Sequence, residues 1–233
     1  MTEHPLRLAL ESTLAELGLP LAPVECLLSY LDLLARWNAI YNLTAVRDPQ
    51  DMLRQHLADC LAVVGPMSRQ WAQPPGGGAD ATPRAIRVLD VGSGGGLPGV
   101  VLAAMFPHWQ VVCVDTVGKK AAFIRQAAAE LGLRNLSGEH VRVEALRCAP
   151  FDVITSRAFA SLVDFTRLTR SLLAPQGVWM AMKGRAPTDE RAALPGDIEV
   201  FHVEPLTVPG LQAERCLVWM RLRPAPTNPA PAA

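Results

Sequence analysis

An α/β domain built on a mostly parallel sheet with helices on both faces, preceded by a helical extension, is the fold the sequence predicts. Three observations carry that expectation. From Ala85 onward apolar, β-like runs alternate with helical patterns, as strands and crossover helices do in such sheets. A glycine-dense loop at 92–99 stands directly between the first of these runs and a helical segment. The first 71 residues show helical periodicity.

In the extension, Leu10, Leu14 and Leu17 share one helical face until Gly18 and Pro20 end the pattern. Val24, Leu27, Leu28, Leu31 and Leu34 resume it towards Trp37. Asp48 followed by Pro49 reads as an N-cap with proline at the first helical position, and Leu53, Leu57, Leu61 and Val64 form a stripe behind it. Residues 73–83, dense in Pro and Gly, read as an exposed linker. Beyond it, 86–91 and 111–115 are expected strands joined by a helix over 97–106, and 119–131 is a second helix with Phe123, Ala127 and Leu131 on one face. Residues 140–143 read as a short strand and 152–156 as a longer one. A helix over 162–173, stopped by Pro175 and Gly177, precedes a strand at 178–182. Runs 199–203 and 216–222, joined by the Pro209-Gly210 turn, read as a closing β pair. The expected division is a helical extension at 1–71, a linker at 72–84, the α/β domain at 85–223 and a disordered tail at 224–233.

Composition narrows the function classes. Lys+Arg and Asp+Glu number 22 each in 233 residues, and half the residues are hydrophobic, so a packed core is available and no net charge marks a general polyanion binder. The charge is unevenly placed: 5 basic and 8 acidic residues in 1–71, 12 and 7 in 85–187, 4 and 6 in 188–233. Positive charge thus concentrates in the middle, where it can meet phosphate. No apolar run approaches the roughly 18–20 residues of a membrane-spanning helix, and the start lacks the basic and apolar regions of a secretory signal. Five scattered cysteines without a C-x-x-C pair fit reduced thiols in a cytoplasm better than a disulfide framework or a zinc site. A cytoplasmic, metal-free monomer is expected.

The chemistry-bearing segment is Val88-Leu89-Asp90-Val91-Gly92-Ser93-Gly94-Gly95-Gly96-Leu97-Pro98-Gly99. Its glycines permit a tight turn and close approach of a ligand to backbone. Asp115 closes the next expected strand, where an acid can accept hydrogen bonds from ribose hydroxyls. Dinucleotides and S-adenosylmethionine both use such a device. Gly94-x-Gly96-x-x-Gly99 satisfies the dinucleotide fingerprint, yet Asp90 at the strand end places negative charge near a pyrophosphate. The same charge suits the ammonium and sulfonium of S-adenosylmethionine, the favoured ligand.

The sequence resembles the bacterial small-subunit rRNA methyltransferase G family, also called glucose-inhibited division protein B, over nearly its whole length. The resemblance is carried by the block from Arg36 to Pro49 with its Asn42-Leu43-Thr44 core, by His56-Leu57-Ala58-Asp59, and by the glycine loop. It continues in Asp115-Thr116-Val117-Gly118-Lys119-Lys120, Ser156-Arg157-Ala158-Phe159-Ala160-Ser161, Met182-Lys183-Gly184-Arg185, Val208-Pro209-Gly210-Leu211 and Glu214-Arg215. Cys60 departs from the usual serine. The resemblance implies a class I S-adenosylmethionine-dependent methyltransferase fold, Rossmann-like with a mostly parallel seven-stranded sheet, and methylation of N7 of guanine 527 of 16S rRNA in the 30S subunit. It puts cofactor contacts on Gly92, Leu97, Val143, Glu144 and Arg157, to which the reading of the strand end adds Asp115.

Guanine N7 has an in-plane lone pair and no proton to lose, so attack requires no general base and no catalytic residue is assigned. Catalysis is then mainly alignment in a water-poor pocket. His56 and Asp59 either shape the guanine pocket or, more plainly, lock the helical extension to the core. His56, Lys119, Lys120, Lys183 and Arg185 are candidate RNA contacts, each with an ordinary surface charge or structural contact as its rival reading. Phe159 either stacks on a base or fills the core. A methyltransferase for a small molecule or protein, an NAD(P) oxidoreductase and a non-enzymatic ribosome-binding scaffold remain the alternatives at this stage.

Overall fold

A computed structural model describes residues 3–71, 85–157, 159 and 161–224. The expected linker at 72–84, and all of the expected tail except Pro224, lie outside the described residues.

The extension begins with α1 (Arg7–Glu16) and α2 (Val24–Tyr41). Leu10 and Leu14 of α1 are buried, and α2 buries Leu27, Leu28, Leu31 and Leu34 along one side with Tyr30 and Leu33 buried beside them. Each such leucine contributes about 1.5–3 kcal/mol of transfer free energy. Asp48 caps α3 (Pro49–Met52) as expected, its carboxylate accepting from the Asp51 amide at 3.0 Å. The stripe that follows is not one regular helix: Leu53–Ala58 is π-helical, and only then come α4 (Asp59–Leu61) and α5 (Val64–Trp71).

The α/β part runs β1 (Arg87–Val91), α6 (Gly99–Met105), β2 (Gln110–Asp115), α7 (Gly118–Glu130), β3 (Leu136–His140), β4 (Phe151–Ser156), α8 (Leu162–Thr169), β5 (Leu173–Lys183), α9 (Thr188–Ala192), β6 (Ile198–Pro205) and β7 (Cys216–Leu222). They form one seven-stranded sheet in the order β3-β2-β1-β4-β5-β7-β6, parallel except for β7, which runs antiparallel to both its neighbours. The strand order reverses direction at β1 and β4, the place where open α/β sheets bind ligands beyond their carboxyl ends. One face packs α2, α6 and α7 over Val88, Val111, Val153 and Met180 in a core continuous with the extension; the other packs α8 over Leu89 and Ile154.

Two local expectations are corrected. The third strand is Leu136–His140, not 140–143, and Val143–Ala145 is a single 3-10 turn. Its inward positions are Leu136 and Gly138, and a Cβ at Gly138 would stand 3.0 Å from the Ala121 carbonyl and Ile124 of α7. The close helix demands glycine there, which removes the apolar signal of a strand. The helix from Leu162 ends at Thr169, not 173. The Thr166 and Thr169 hydroxyls donate back to the Leu162 and Phe165 carbonyls, and a 3-10 turn, Arg170–Leu172, leads into β5. Pro175 and Gly177 lie inside β5, near the shift in its register with β4, rather than before the strand. Helix α9 was not expected.

Candidate active site

The glycine loop leaves β1 with φ of +69° at Gly92, +58° at Gly94 and +82° at Gly96, conformations that L side chains rarely adopt. The loop is pinned from below. The Gly92 amide donates to the Val114 carbonyl at 2.8 Å, the Ser93 hydroxyl to the Asp90 carbonyl at 2.7 Å, and the Gly94 amide to Asp115 Oδ2 at 3.0 Å. Asp115 Oδ1 also accepts from the Val117 amide at 2.8 Å, and Lys120 Nζ stands 4.0 Å from Oδ2. A Cβ at Gly92 would meet nothing within 4 Å, so open space lies above the bend.

Asp90 is not the open acidic floor that the sequence suggests. Its side chain is fully buried beneath the loop, where Oδ2 accepts from the Gly99 amide at 2.9 Å and Oδ1 has no hydrogen-bond partner. A Cβ at Gly99 would stand 2.2 Å from Cys113 Sγ and 3.0 Å from Asp90 Oδ2, so glycine is required at this entry to α6. Burial lifts the carboxyl pKa to about 6, against the hydrogen bonds and the Arg157 charge that pull it down.

Three adjoining cavities lie along this edge. The first, about 530 Å³, is lined by Gly92, Asp115, Val117, Lys120, Val143, Glu144 and Phe159 among others. The second, about 170 Å³, shares Gly92 and Lys120 with the first and is walled by Leu34, Leu43, Thr44, His56, Leu97 and Arg157. The third, about 350 Å³, shares His56 and Arg157 with the second and adds Asp59, Met182, Lys183 and Arg215. The structure thus brings Gly92, Asp115, Val143 and Glu144 together in one cavity and Leu97 and Arg157 into the next. Of the candidate RNA contacts, His56, Lys120 and Lys183 line these cavities. Lys119 instead donates to the Tyr41 carbonyl at 2.7 Å, and exposed Arg185 lines a neighbouring cavity of about 360 Å³ that shares Gly184 and Arg215 with the third.

The extension supplies one wall. Buried Asn38 accepts from the Thr44 amide at 2.9 Å and donates to the Val46 carbonyl at 3.0 Å, shaping the Asn-Leu-Thr turn. Thr44 Oγ1 then meets His56 Nε2 at 2.7 Å, while His56 Nδ1 faces Arg157 Nη1 at 3.5 Å. A guanidinium can only donate, so Nδ1 accepts and Nε2–H donates to Thr44. Burial, then the Arg157 charge, lowers the His56 pKa, which keeps the ring neutral. Cys60, which stands in place of the usual serine, is fully buried, and burial pushes its thiol well up.

Sequence reasoning missed Tyr30, whose hydroxyl donates to the Gly95 carbonyl at 2.6 Å with the ring fully buried. A polar tip in an otherwise leucine-rich stripe was the available signal. Tyr30→Phe is expected to cost about 1 kcal/mol and to weaken a few-fold the binding of the S-adenosylmethionine that the resemblance implies; thermal melts and ligand titration check both. Arg215 was noted only as part of a family block; its Nε donates to Asp59 Oδ1 at 2.8 Å.

Among the described residues no helix is long and apolar enough to cross a membrane, and no group of three or more His, Cys, Asp or Glu could hold a metal ion. Solved structures with similar folds include TrmN from Thermus thermophilus (TM-score 0.52, 22% identity, 70% of this chain and 48% of that one). A SAM dependent methyltransferase from Aquifex aeolicus is likewise similar (TM-score 0.51, 16% identity, 74% of this chain and 93% of that one). Among curated proteins, the ribosomal RNA small subunit methyltransferase G of Acidovorax sp. (strain JS42) is 60% identical over 94% of this chain and 95% of its own length. That of Methylibium petroleiphilum is 61% identical over 83% of each. The family described as rRNA small subunit methyltransferase G matches residues 24–218, and the chain belongs to it.

Proposed function

We propose that the chain methylates N7 of guanine 527 in 16S rRNA of the small ribosomal subunit, as a cytoplasmic monomer, with S-adenosylmethionine as donor. The observation that carries the reading is the chain of cavities from the Asp115 pocket through Arg157 to the basic pocket around Arg215. It offers a nucleoside-sized site and a polyanion-friendly site joined through the middle cavity.

The residues present fit the donor. A cavity of about 530 Å³ is in the usual range for a small-molecule site. Asp115 keeps lone pairs free beyond its two backbone hydrogen bonds and can accept from ribose hydroxyls. Val117, Val143 and Phe159 give apolar surface for a purine, and Glu144 stands beside them to accept from its exocyclic amine. Bound there, S-adenosylmethionine supplies an electrophilic methyl group on a sulfonium sulfur.

The remaining task of the chain is alignment. Leu97 and Leu43, both buried, exclude water from the middle cavity. Neutral His56, its two ring nitrogens engaged by Thr44 and Arg157, braces the fixed Arg157 beside the inserted base, and neither has to take a proton, because N7 releases none. The product base is cationic, and buried Asp90 lies under the same loop. Lys119, Lys120, Lys183 and Arg185 are the proposed phosphate contacts. The test is borohydride–aniline cleavage of 16S rRNA, which cuts at 7-methylguanine. RNA from cells lacking the protein should lose the cut near 527 and regain it after treatment of its 30S subunits with the purified protein and donor. Persistence of the cut without the protein would refute the reading, and label passing to free metabolites but not to 30S RNA would favour a small-molecule substrate.

A further inference from the structure

We propose that the pocket between the π-helical turn and the end of β5 is a phosphate seat, in which Arg215, Lys183 and Arg157 hold a backbone phosphodiester of the RNA strand beside the target guanosine. The proposal rests on the rRNA reading above and gives that reading a specific anchoring point. The pocket, about 350 Å³, is lined by Gln55, His56, Asp59, Arg157, Lys183 and Arg215 among others. Asp59 is its organiser. Its side chain is 4% exposed, with Oδ1 accepting from Arg215 Nε at 2.8 Å and Oδ2 standing 3.7 Å from Arg157 Nη1. A buried carboxylate between two guanidinium groups fixes both at one wall.

What the carboxylate leaves over is the binding surface. Arg215 Nη1 donates to the Glu214 carbonyl and Arg157 Nη1 to the Gln55 carbonyl. Arg215 Nη2 and Arg157 Nε and Nη2 have no hydrogen-bond partner among the described residues, although both side chains are about three-quarters buried. Lys183, on the facing strand end, is held by Glu190 at 2.9 Å. Three cations against two carboxylates leave an excess positive charge, and the free Nε/Nη2 edge of Arg157, with a further donor at Arg215 Nη2, matches the oxygens of a phosphodiester.

The anion is assigned to the RNA, not to the carboxylate of the donor, by the layout of the cavities. Arg157 borders both the loop cavity and this pocket, whereas Arg215 and Lys183 border the pocket and not the loop cavity. A strand seated here carries a neighbouring base towards the loop cavity across the shared wall of His56 and Arg157.

The experiment is steady-state methylation of 30S subunits carrying unmodified 16S rRNA, with donor affinity measured separately by calorimetry. Arg215→Gln is expected to raise the KM for 30S subunits roughly ten-fold, with the effect on KM rather than kcat and no weakening of donor binding. The slope of log(kcat/KM) against log salt should become shallower by about one. Arg215→Lys should recover part of the loss. Should Arg215→Gln lower the melting temperature, Lys183→Gln supplies the same reading from the other wall. Weaker donor binding with an unmoved KM for 30S would overturn the proposal by making the anion the donor's. An unmoved KM, salt slope and donor affinity would make the cluster a structural brace and overturn it equally. Failure of the wild-type protein to methylate 30S subunits at all would instead sink the rRNA reading, so the two failures are distinct.

Discussion

Asp115→Ala is expected to weaken S-adenosylmethionine binding by at least about 100-fold, the largest functional loss of any single change at this site. The residue does two jobs. Its oxygens accept from the Gly94 and Val117 amides at 3.0 and 2.8 Å, holding the glycine loop and the start of α7 at a fixed spacing. It also faces the main cavity, where two ribose hydroxyls bonded to a carboxylate at roughly 1.5–3 kcal/mol each account for a loss of that order. Alanine would leave two part-buried amides without a protein acceptor, costing about 1–2 kcal/mol of stability. Asp115→Asn retains one acceptor oxygen and should fall between. Calorimetric titration together with denaturant melts separates the two jobs: a destabilised variant that binds the donor as tightly as the wild type would reduce Asp115 to a scaffold for the loop.

How far this site could be read beforehand depends on how local each signal is. The glycine loop was legible because the need for positive φ at Gly92, Gly94 and Gly96 is met by the residues themselves, directly after an apolar strand. Asp115 was legible because a lone acid at the end of a buried run, before a helix, has few structural uses. Val143 and Glu144 reach the expected cavity although the strand predicted over 140–143 lies instead at Leu136–His140. Their position followed from a family resemblance rather than from local periodicity, which glycine at 138 had erased.

The parts that stayed hidden are pairings across the chain. Tyr30 meets Gly95 from 65 residues away and Arg215 meets Asp59 from 156 away, and neither residue carries a local mark of its partner. The π-helix at Leu53–Ala58 left a trace that was open to a second interpretation. Leucines strictly four apart drift by about 40° per step around a regular α-helix, yet Leu53, Leu57 and Leu61 are all buried. A wider turn keeps them on one face, and the same turn presents His56 to Thr44 and Arg157, in keeping with the concentration of such bulges at functional sites.

Asp90→Asn is expected to make the protein more stable at neutral pH while weakening its hold on the donor. The carboxyl is fully buried, one oxygen has no partner, and its pKa stands at about 6 against an ordinary 3.8. Below pH 3.8 the group is protonated whether the chain is folded or not, so it makes no difference to stability. Between 3.8 and 6 the unfolded chain releases the proton while the folded chain keeps it, so stability falls as pH rises. Above 6 the penalty is complete and amounts to about 3 kcal/mol. An amide removes the ionisation and keeps an acceptor for the Gly99 amide. Its own N–H groups lie in the same row as Thr155, the register partner of Asp90 on β4, whose buried hydroxyl also lacks a partner. Allowing for imperfect satisfaction of those groups, a net gain of about 1–2 kcal/mol at pH 7.5 is expected, falling through zero to a loss of about 1 kcal/mol near pH 4, where the ionisation penalty has gone and the unsatisfied amide remains. Denaturant melts from pH 4 to pH 8 check the slope, and parallel wild-type and variant curves would show that Asp90 titrates alike in the folded and unfolded chains and carries no burial penalty. The negative charge that destabilises the empty loop is the one a sulfonium and an ammonium would feel across it, so donor affinity should drop about ten-fold in the variant. An unchanged dissociation constant would confine Asp90 to bracing the entry of α6.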